Sequence, residues 1–278
     1  MNPARIYQAT VPIAGHERLA RDTARIRVIF PEIARAIRPG QFVMVRISGG
    51  SDPLLGRPFA LYDTVLDGDT PVGFDFVYLA VGKMTRRLLT MEPGEKLEIW
   101  GPLGNGFDPL ESVKHVGLVA GGIGQTPFLA YIRQLLGTRG YGGQHARRTA
   151  ERVSLFYGVR TADLAAGVED FRSAGATVHL SSDDGSLGHH GYVTQLLETV
   201  GFPDHVVGCG PEPMLHALHR LTSRHGTPCQ VSLETPMACG VGICFSCVVK
   251  VRQDDGQWDY KRCCVEGPIF DADKLVWE

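Results

Sequence analysis

Cys239, Cys244 and Cys247 form a C-x4-C-x2-C loop, and Cys264 follows from a separate segment. This is the spacing by which thiolates hold a 2Fe-2S cluster. Four sulfurs must converge on two irons, so three from one short loop and one from elsewhere meet a geometric requirement. Inside the loop, Gly240 and Gly242 allow the backbone to wrap closely and turn its amides toward the cluster sulfurs. A structural zinc site usually pairs its ligands as two C-x2-4-C units. Here the second unit is missing, and a lone cysteine or the adjacent Cys263 and Cys264 would have to replace it. A disulfide framework suits small secreted domains, whereas this chain has 278 residues and an odd seven cysteines. Cys209 and Cys229 stand apart from the loop, and the default for such a cysteine is a small buried apolar residue.

Three further turns have nucleotide chemistry within reach. Gly121-Gly122-Ile-Gly124, between a strand and a helix, presents free N–H groups to a diphosphate. It lacks the last glycine of G-x-G-x-x-G, because Pro127 stands there, and a plain strand-to-helix connection is the competing reading. Cys209-Gly210-Pro211 follows a second strand at the presumed C-terminal edge of the same sheet, where open α/β sheets bind ligands. Asp183 and Asp184 follow a third strand and are placed to accept ribose hydroxyls, or else to form a solvated Asp-Gly turn. Nearer the N-terminus, Arg57-Pro58-Phe59-Ala60-Leu-Tyr62 joins a cation for phosphate to an extended backbone and two aromatics able to flank a flat ring. Val81-Gly-Lys-Met84-Thr85 leads into a short helix whose first amides offer a second phosphate contact.

The elements that position these residues fall into two rhythms. Up to about residue 110, short alternating strands (24–30, 41–47, 74–81, 96–100) are punctuated by Pro-Gly and Asp-Gly turns, the pattern of an antiparallel barrel. From there to about 225, strand, glycine turn and helix repeat, the pattern of a parallel α/β sheet. A glycine- and arginine-rich stretch, 137–150, reads as a mobile surface loop. The expected class is α+β multidomain: a barrel over 1–110, an α/β domain over 111–225 and a small cysteine segment over 226–278.

Composition excludes several roles. A formal charge of −2 gives no basic field for nucleic acid. The most apolar stretch, 116–129, is broken by Gly121, Gly122, Gly124 and Pro127, so no membrane span is expected. The first residues, Met-Asn-Pro-Ala-Arg, lack the apolar core of a secretory leader, which makes the cytoplasm the expected compartment.

Taken together, Gly40-Gln-Phe-Val-Met44, Arg57-Pro-Phe-Ala60, Gly82-Lys-Met-Thr85, Gly101-Pro-Leu-Gly104, Ala120-Gly-Gly-Ile-Gly124, Cys209-Gly-Pro211 and the cysteine loop resemble the ferredoxin-reductase superfamily. More narrowly, Gly49-Gly-Ser-Asp-Pro-Leu54, Glu234-Thr-Pro-Met-Ala-Cys239 and Glu266-Gly-Pro-Ile-Phe270 resemble the family of electron-transfer subunits of NAD-dependent, two-subunit dihydroorotate dehydrogenases. The resemblance spans nearly the whole chain in the family's order. It implies FAD on the barrel, NAD on the α/β domain and a 2Fe-2S cluster at the C-terminus. Carried over by position, Arg57, Pro58, Phe59, Ala60, Val77, Tyr78, Leu79, Met84 and Thr85 contact FAD. Gly121, Gly122, Gly124, Asp183, Asp184, Gly210 and Pro211 contact NAD. Cys209 lies by the nicotinamide, and Cys264 rather than Cys263 is the fourth iron ligand. The chain departs from the family at Ala60, often serine, Leu79, commonly arginine, and Met84, commonly glycine.

The resemblance further implies an FMN-containing partner that oxidises dihydroorotate to orotate in pyrimidine biosynthesis, in a heterotetramer. Electrons then pass singly through the cluster to FAD and as hydride to NAD+, which the Asp183-Asp184 pair favours over NADP+, a preference that Arg160 softens. Motifs do not determine a partner. The alternatives are a diaphorase subunit of a hydrogenase, sulfur reductase or ferredoxin:NAD(P) oxidoreductase, and a non-enzymatic iron–sulfur carrier.

Overall fold

The computed structural model describes residues 5–277; residues 1–4, on which the reading of the N-terminus partly rests, and residue 278 lie outside it. β1 (Tyr7–Ala20) and β2 (Thr23–Ile29) alternate buried with exposed side chains, as strands with one dry face do. With β3 (Phe42–Ile47), β4 (Arg57–Ala60), β5 (Asp63–Asp67), β6 (Thr70–Leu79) and β7 (Lys96–Leu103) they build an antiparallel sheet ordered β4-β3-β7-β1-β2-β6-β5. Phe59 of β4 stacks on Phe76 of β6 with ring centroids 5.0 Å apart, so the two flanks curl over one core. Helix α1 (Pro31–Ala36), opened by its proline, adds Ile33 to that core, and α2 (Lys83–Leu88) adds Met84 and Leu88.

The second sheet begins with β8 (Val113–Gly121), which is buried without a break from His115 to Ala120. Continuous burial means cover on both faces. Along the strand, Leu118 packs with α3 (Phe128–Leu135) and its neighbour Val119 with the helices of the other face. β9 (Ala150–Val159), α4 (Val168–Ser173), β10 (Thr177–Ser182), β11 (His189–His190), α5 (Val193–Val200), β12 (His205–Cys209) and α6 (Glu212–His225) complete the alternation. Helices α3 and α4 cover one face, α5 and α6 the other.

Two strands beyond residue 226 enter this same sheet. β13 (Cys229–Ser232) pairs in parallel with β12. After the hairpin of β14 (Val248–Arg252) and β15 (Trp258–Arg262), β16 (Ile269–Asp271) pairs antiparallel with β13 and closes the order β11-β10-β9-β8-β12-β13-β16. The expected fold class is therefore present: an antiparallel sheet, a parallel sheet with one antiparallel edge, and a C-terminal cysteine segment that is sewn into the second sheet. Among the described residues no helix is long and apolar enough to cross a membrane.

The stretch 137–150 departs from the expectation of a mobile loop. Its base is anchored on the first sheet by Asp63, which takes Arg133 at 2.9 Å and Arg139 at 2.8 Å on one oxygen. The other oxygen accepts the Tyr141 hydroxyl at 2.7 Å and the Thr64 amide at 2.8 Å. Tyr141 is buried in the barrel core. Arg139 of this stretch, with Arg133 of α3, is therefore a clamp between the two sheets, while Thr138 and the tip, 143–148, are exposed.

The second sheet also carries a pH liability. His115 accepts from Arg152 at its Nδ1, 2.9 Å away, which leaves Nε2 to donate to Ser154 Oγ at 2.8 Å. Burial and then the Arg152 charge lower its pKa, and burial lowers those of His179 and His205. Each binds its proton more readily unfolded than folded, so stability is full above the unfolded value near 6.5 and is lost as pH falls below it. Urea unfolding at pH 7.5 and 5.5 is expected to give the lower midpoint at 5.5, with His115 contributing at most about 1.4 kcal/mol per pH unit. Equal midpoints would contradict this.

Candidate functional site

The turns singled out by residue type meet along one seam between the sheets. A cavity of about 460 Å³ is walled by Arg57 to Ala60 of β4, Val77 to Leu79 of β6 and Gly82 to Thr85 around the start of α2. The segment Ser232 to Met237 closes it from the other side. Arg57 is exposed and donates to the carbonyls of Leu55 and Gly56 at 3.1 and 3.0 Å, which fixes its stem while leaving donors for an anion. Thr85 Oγ1 accepts from the Gly82 amide at 3.0 Å and caps the helix.

The aromatics behave differently from the expectation of flanking rings. Phe59 stacks within the core. Tyr62 is fully buried away from the cavity, donating to Asp170 at 2.7 Å across the two sheets, and burial holds its hydroxyl protonated. Tyr78 borders the cavity but is buried, its hydroxyl 2.9 Å from His16 Nε2. Met84 packs into the barrel core, so it offers the cavity little beyond its backbone. Leu79 stands on the seam and lines both cavities.

The larger cavity, about 800 Å³, lies at the C-terminal ends of β8, β9, β10 and β12. Gly121, Gly122, Arg160, Asp183, Gly210 and Pro211 line it. Gly124 lies just behind, where a Cβ would come within 2.2 Å of the Cys209 carbonyl oxygen. Glycine there lets the two expected turns touch, a packing reason that stands beside any ligand. Asp184 does not line the cavity: its carboxylate accepts from the Ser186 amide and hydroxyl at 3.0 and 2.6 Å, the hydrogen-bonded turn that was the competing reading. Asp183 alone of the pair faces inward.

Cys209 lines the smaller cavity, not the larger. Burial, then the charge of Glu234, push its thiol well up, so it remains protonated. Glu234 itself lines both cavities, and crowding by the protein around it raises its carboxyl even though part of it meets solvent. Sequence reasoning assigned it no role. Its only signal was its place at the head of Glu234-Thr-Pro-Met-Ala-Cys239.

The cysteine loop sits on the barrel. Trp100 Nε1 donates to the Cys239 carbonyl at 3.0 Å, and a Cβ on Gly240, whose φ is +73°, would lie 2.5 Å from Met44. The hairpin explains how a distant cysteine joins: β14 starts one residue after Cys247 and β15 ends two before Cys264, with Val248 opposite Arg262. Among the described residues no three His, Cys, Asp or Glu side chains converge on one point for a single ion. Cys244 faces Cys239, and Cys264 faces Cys247 with Cys239 close by. Four thiols brought together from the loop and the hairpin are a donor set that fits a 2Fe-2S cluster. Hydrogen bonds from Ser246 bring the Cys244 thiol down to about 6, while burial and Cys247 push Cys264 up to about 12. Cys263 is fully buried, its amide bonded to the Cys247 carbonyl at 2.9 Å and its thiol facing Thr235.

Comparison with known proteins agrees with this layout. Residues 234–276 match the profile of the iron-sulfur cluster binding domain of dihydroorotate dehydrogenase B. The dihydroorotate dehydrogenase B (NAD+) electron transfer subunit of Caldanaerobacter subterraneus subsp. tengcongensis is 37% identical over 240 residues, covering 86% of this chain and 87% of its own. That of Geobacillus thermodenitrificans is 34% identical over 275 residues, covering 98% and 99%. Among solved structures, that of an NADH-dependent reduced ferredoxin-NADP oxidoreductase superposes with a TM-score of 0.80 at 27% identity, over 100% of this chain and 92% of that one. The ferredoxin reductase of carbazole 1,9a-dioxygenase, at 20% identity, a TM-score of 0.66 and coverage of 81% and 68%, shares the fold. With relatives this similar along nearly their full length, the chain belongs to the family of dihydroorotate dehydrogenase B (NAD+) electron-transfer subunits.

Proposed function

We propose that this chain holds FAD in the smaller cavity, NAD+ in the larger and a 2Fe-2S cluster on Cys239, Cys244, Cys247 and Cys264. It thereby links an FMN-containing subunit that oxidises dihydroorotate to orotate, in pyrimidine biosynthesis, with NAD+. The single observation that carries this is the sharing of Leu79, Val81, Ile123 and Glu234 by the two cavities, with the cysteine loop bonded to the same barrel through Trp100. When bound, a flavin connects the two-electron hydride chemistry of nicotinamide with the one-electron chemistry of iron and sulfur.

The chain's own residues position and exclude. Arg57 and Thr85 hold the flavin's diphosphate. Leu79, Val81 and Ile123 make the shared wall apolar, and the protonated Cys209 adds no charge behind it. Asp183 selects a ribose hydroxyl over a phosphate, with Arg160 on the same wall limiting the selection. The three units are 1–110, 111–225 and 226–278, the last sharing strands with the second sheet. Ile243, Phe245 and Val265 around the cysteines are 78%, 61% and 45% exposed, a patch suited to the catalytic partner. Assembly as a heterotetramer in the cytoplasm, where cysteines outside the cluster stay reduced, completes the reading.

Arg57→Ala is expected to weaken FAD about tenfold to hundredfold, the worth of a charge-assisted hydrogen bond to phosphate. Flavin release on dilution, followed by fluorescence, checks it, and unaltered retention would contradict the assignment. The likeness to an NADH-dependent ferredoxin-NADP oxidoreductase supports a second reading, a diaphorase with a different partner. Affinity purification from the native cell decides: an FMN subunit oxidising dihydroorotate supports the first, and a ferredoxin, hydrogenase or sulfur-reductase partner the second.

A further inference from the structure

The hairpin that returns the chain to the cysteine loop ends on Arg262, two residues before Cys264. Arg262 Nη1 donates to the Gly242 carbonyl, inside the loop, at 3.1 Å, and the guanidinium lies over the Phe245 ring, 5.4 Å from its centroid. Glu266 takes the rest of the fork. Its Oε1 accepts from Nη2 at 2.6 Å, and its Oε2 accepts from Nε at 3.1 Å and from the Arg262 amide at 2.7 Å. A bidentate pair of this kind fixes direction as well as contact. One donor of the cation is committed to the loop, and the carboxylate is committed to the cation.

We infer that Arg262 and Glu266 set the reduction potential of the cysteine site in opposite directions, Arg262 raising it and Glu266 lowering it. The inference rests on the assignment of the four cysteines to a 2Fe-2S cluster. Uptake of one electron adds one negative charge to a centre already ligated by four thiolates, and no proton need accompany it. A fixed cation beside the loop favours the more negative state, whereas a carboxylate disfavours it. Both side chains are about one-third exposed, so solvent moderates the effect without erasing it. Because Glu266 is also held by the Arg262 backbone amide, it stays near the loop when the guanidinium is removed. The loss of Arg262 therefore exposes the opposing charge.

The test is an anaerobic potentiometric titration of the complete FAD- and cluster-loaded protein, followed by the electron paramagnetic resonance signal of the reduced cluster. Arg262→Gln is expected to cut the ratio of reduced to oxidised cluster at a fixed potential about tenfold, a downward shift of about 59 mV for a one-electron couple. Glu266→Gln is expected to shift the midpoint upward, and Arg262→Lys, which keeps the charge and loses the fork, to stay near the parent. Midpoints that do not move, or that move the same way in the two glutamine variants, overturn the proposal, since a structural role predicts no opposition of sign. If Arg262→Gln fails to retain its cluster, the upward shift in Glu266→Gln alone decides. A parent protein with no such resonance signal would instead sink the cluster assignment beneath it.

Discussion

Replacing Cys264 with serine is expected to strip the chain of its iron-sulfur absorbance and to cut electron transfer between the catalytic partner and NAD+ by at least about a hundredfold, since even residues supporting a metal ligand cost ten- to a hundredfold. NADH-driven reduction of a two-electron dye, which needs only the two cavities, should survive. Replacing Cys263 should leave the absorbance in place. The distinction is physical: Cys264 lies beside Cys247 and Cys239, whereas Cys263 is fully buried with its thiol toward Thr235. A serine at 263 exchanges one small buried polar group for another and is expected to cost about 1 kcal/mol of stability. Iron and sulfide analysis with visible spectra of the two variants decides, and loss of cluster in Cys263→Ser alone would reverse the assignment.

Asp63→Ala carries the largest expected effect on stability. Asp63 is 7% exposed, and its carboxylate receives Arg133, Arg139, Tyr141 and the Thr64 amide at 2.7 to 2.9 Å. Removing it leaves two half-buried guanidinium groups and a buried hydroxyl without their acceptor. Breaking one side of such a network costs about 3–5 kcal/mol. The thermal midpoint should fall by roughly 6–15 °C for a protein of this size. Asp67→Ala, at the exposed end of the same strand, should change it little. Because Asp63 ties 133–141 to the first sheet, the midpoint monitored by flavin release should fall together with that monitored by far-ultraviolet circular dichroism. A change below about 1 °C would contradict the clamp.

The sequence carried the site further than it carried the chain's path. Cysteine spacing, the glycine turns and the Arg57-Pro-Phe-Ala60 run were legible because each is a local requirement: a cluster, a tight turn or a charge has to be met by a few neighbouring residues. The central strands β8 and β12 were legible for the same reason, as unbroken apolar runs before glycine. β13 was not. Cys-Gln-Val-Ser has neither length nor a clear period, and it is a strand because β12 and β16 flank it with unpaired backbone. The 137–150 stretch looked solvated because arginine and glycine usually are, and only the approach of Asp63 from the other sheet makes its base a clamp. Tyr62 and Asp184 were misplaced by the same limit: residue type allowed either a ligand or a local partner, and tertiary contacts supplied Asp170 to one and Ser186 to the other. Glu234 went unassigned because its importance lies in facing two cavities at once, which no single stretch of sequence displays.

Anaerobic purification of the full chain, followed by a count of iron, acid-labile sulfide and flavin on the same sample, tests the cofactor assignment most directly. About two irons, two sulfides and one FAD per chain are expected, with the flavin bleached on addition of NADH. Zinc, or iron without sulfide, or a chain that binds no flavin, would contradict it.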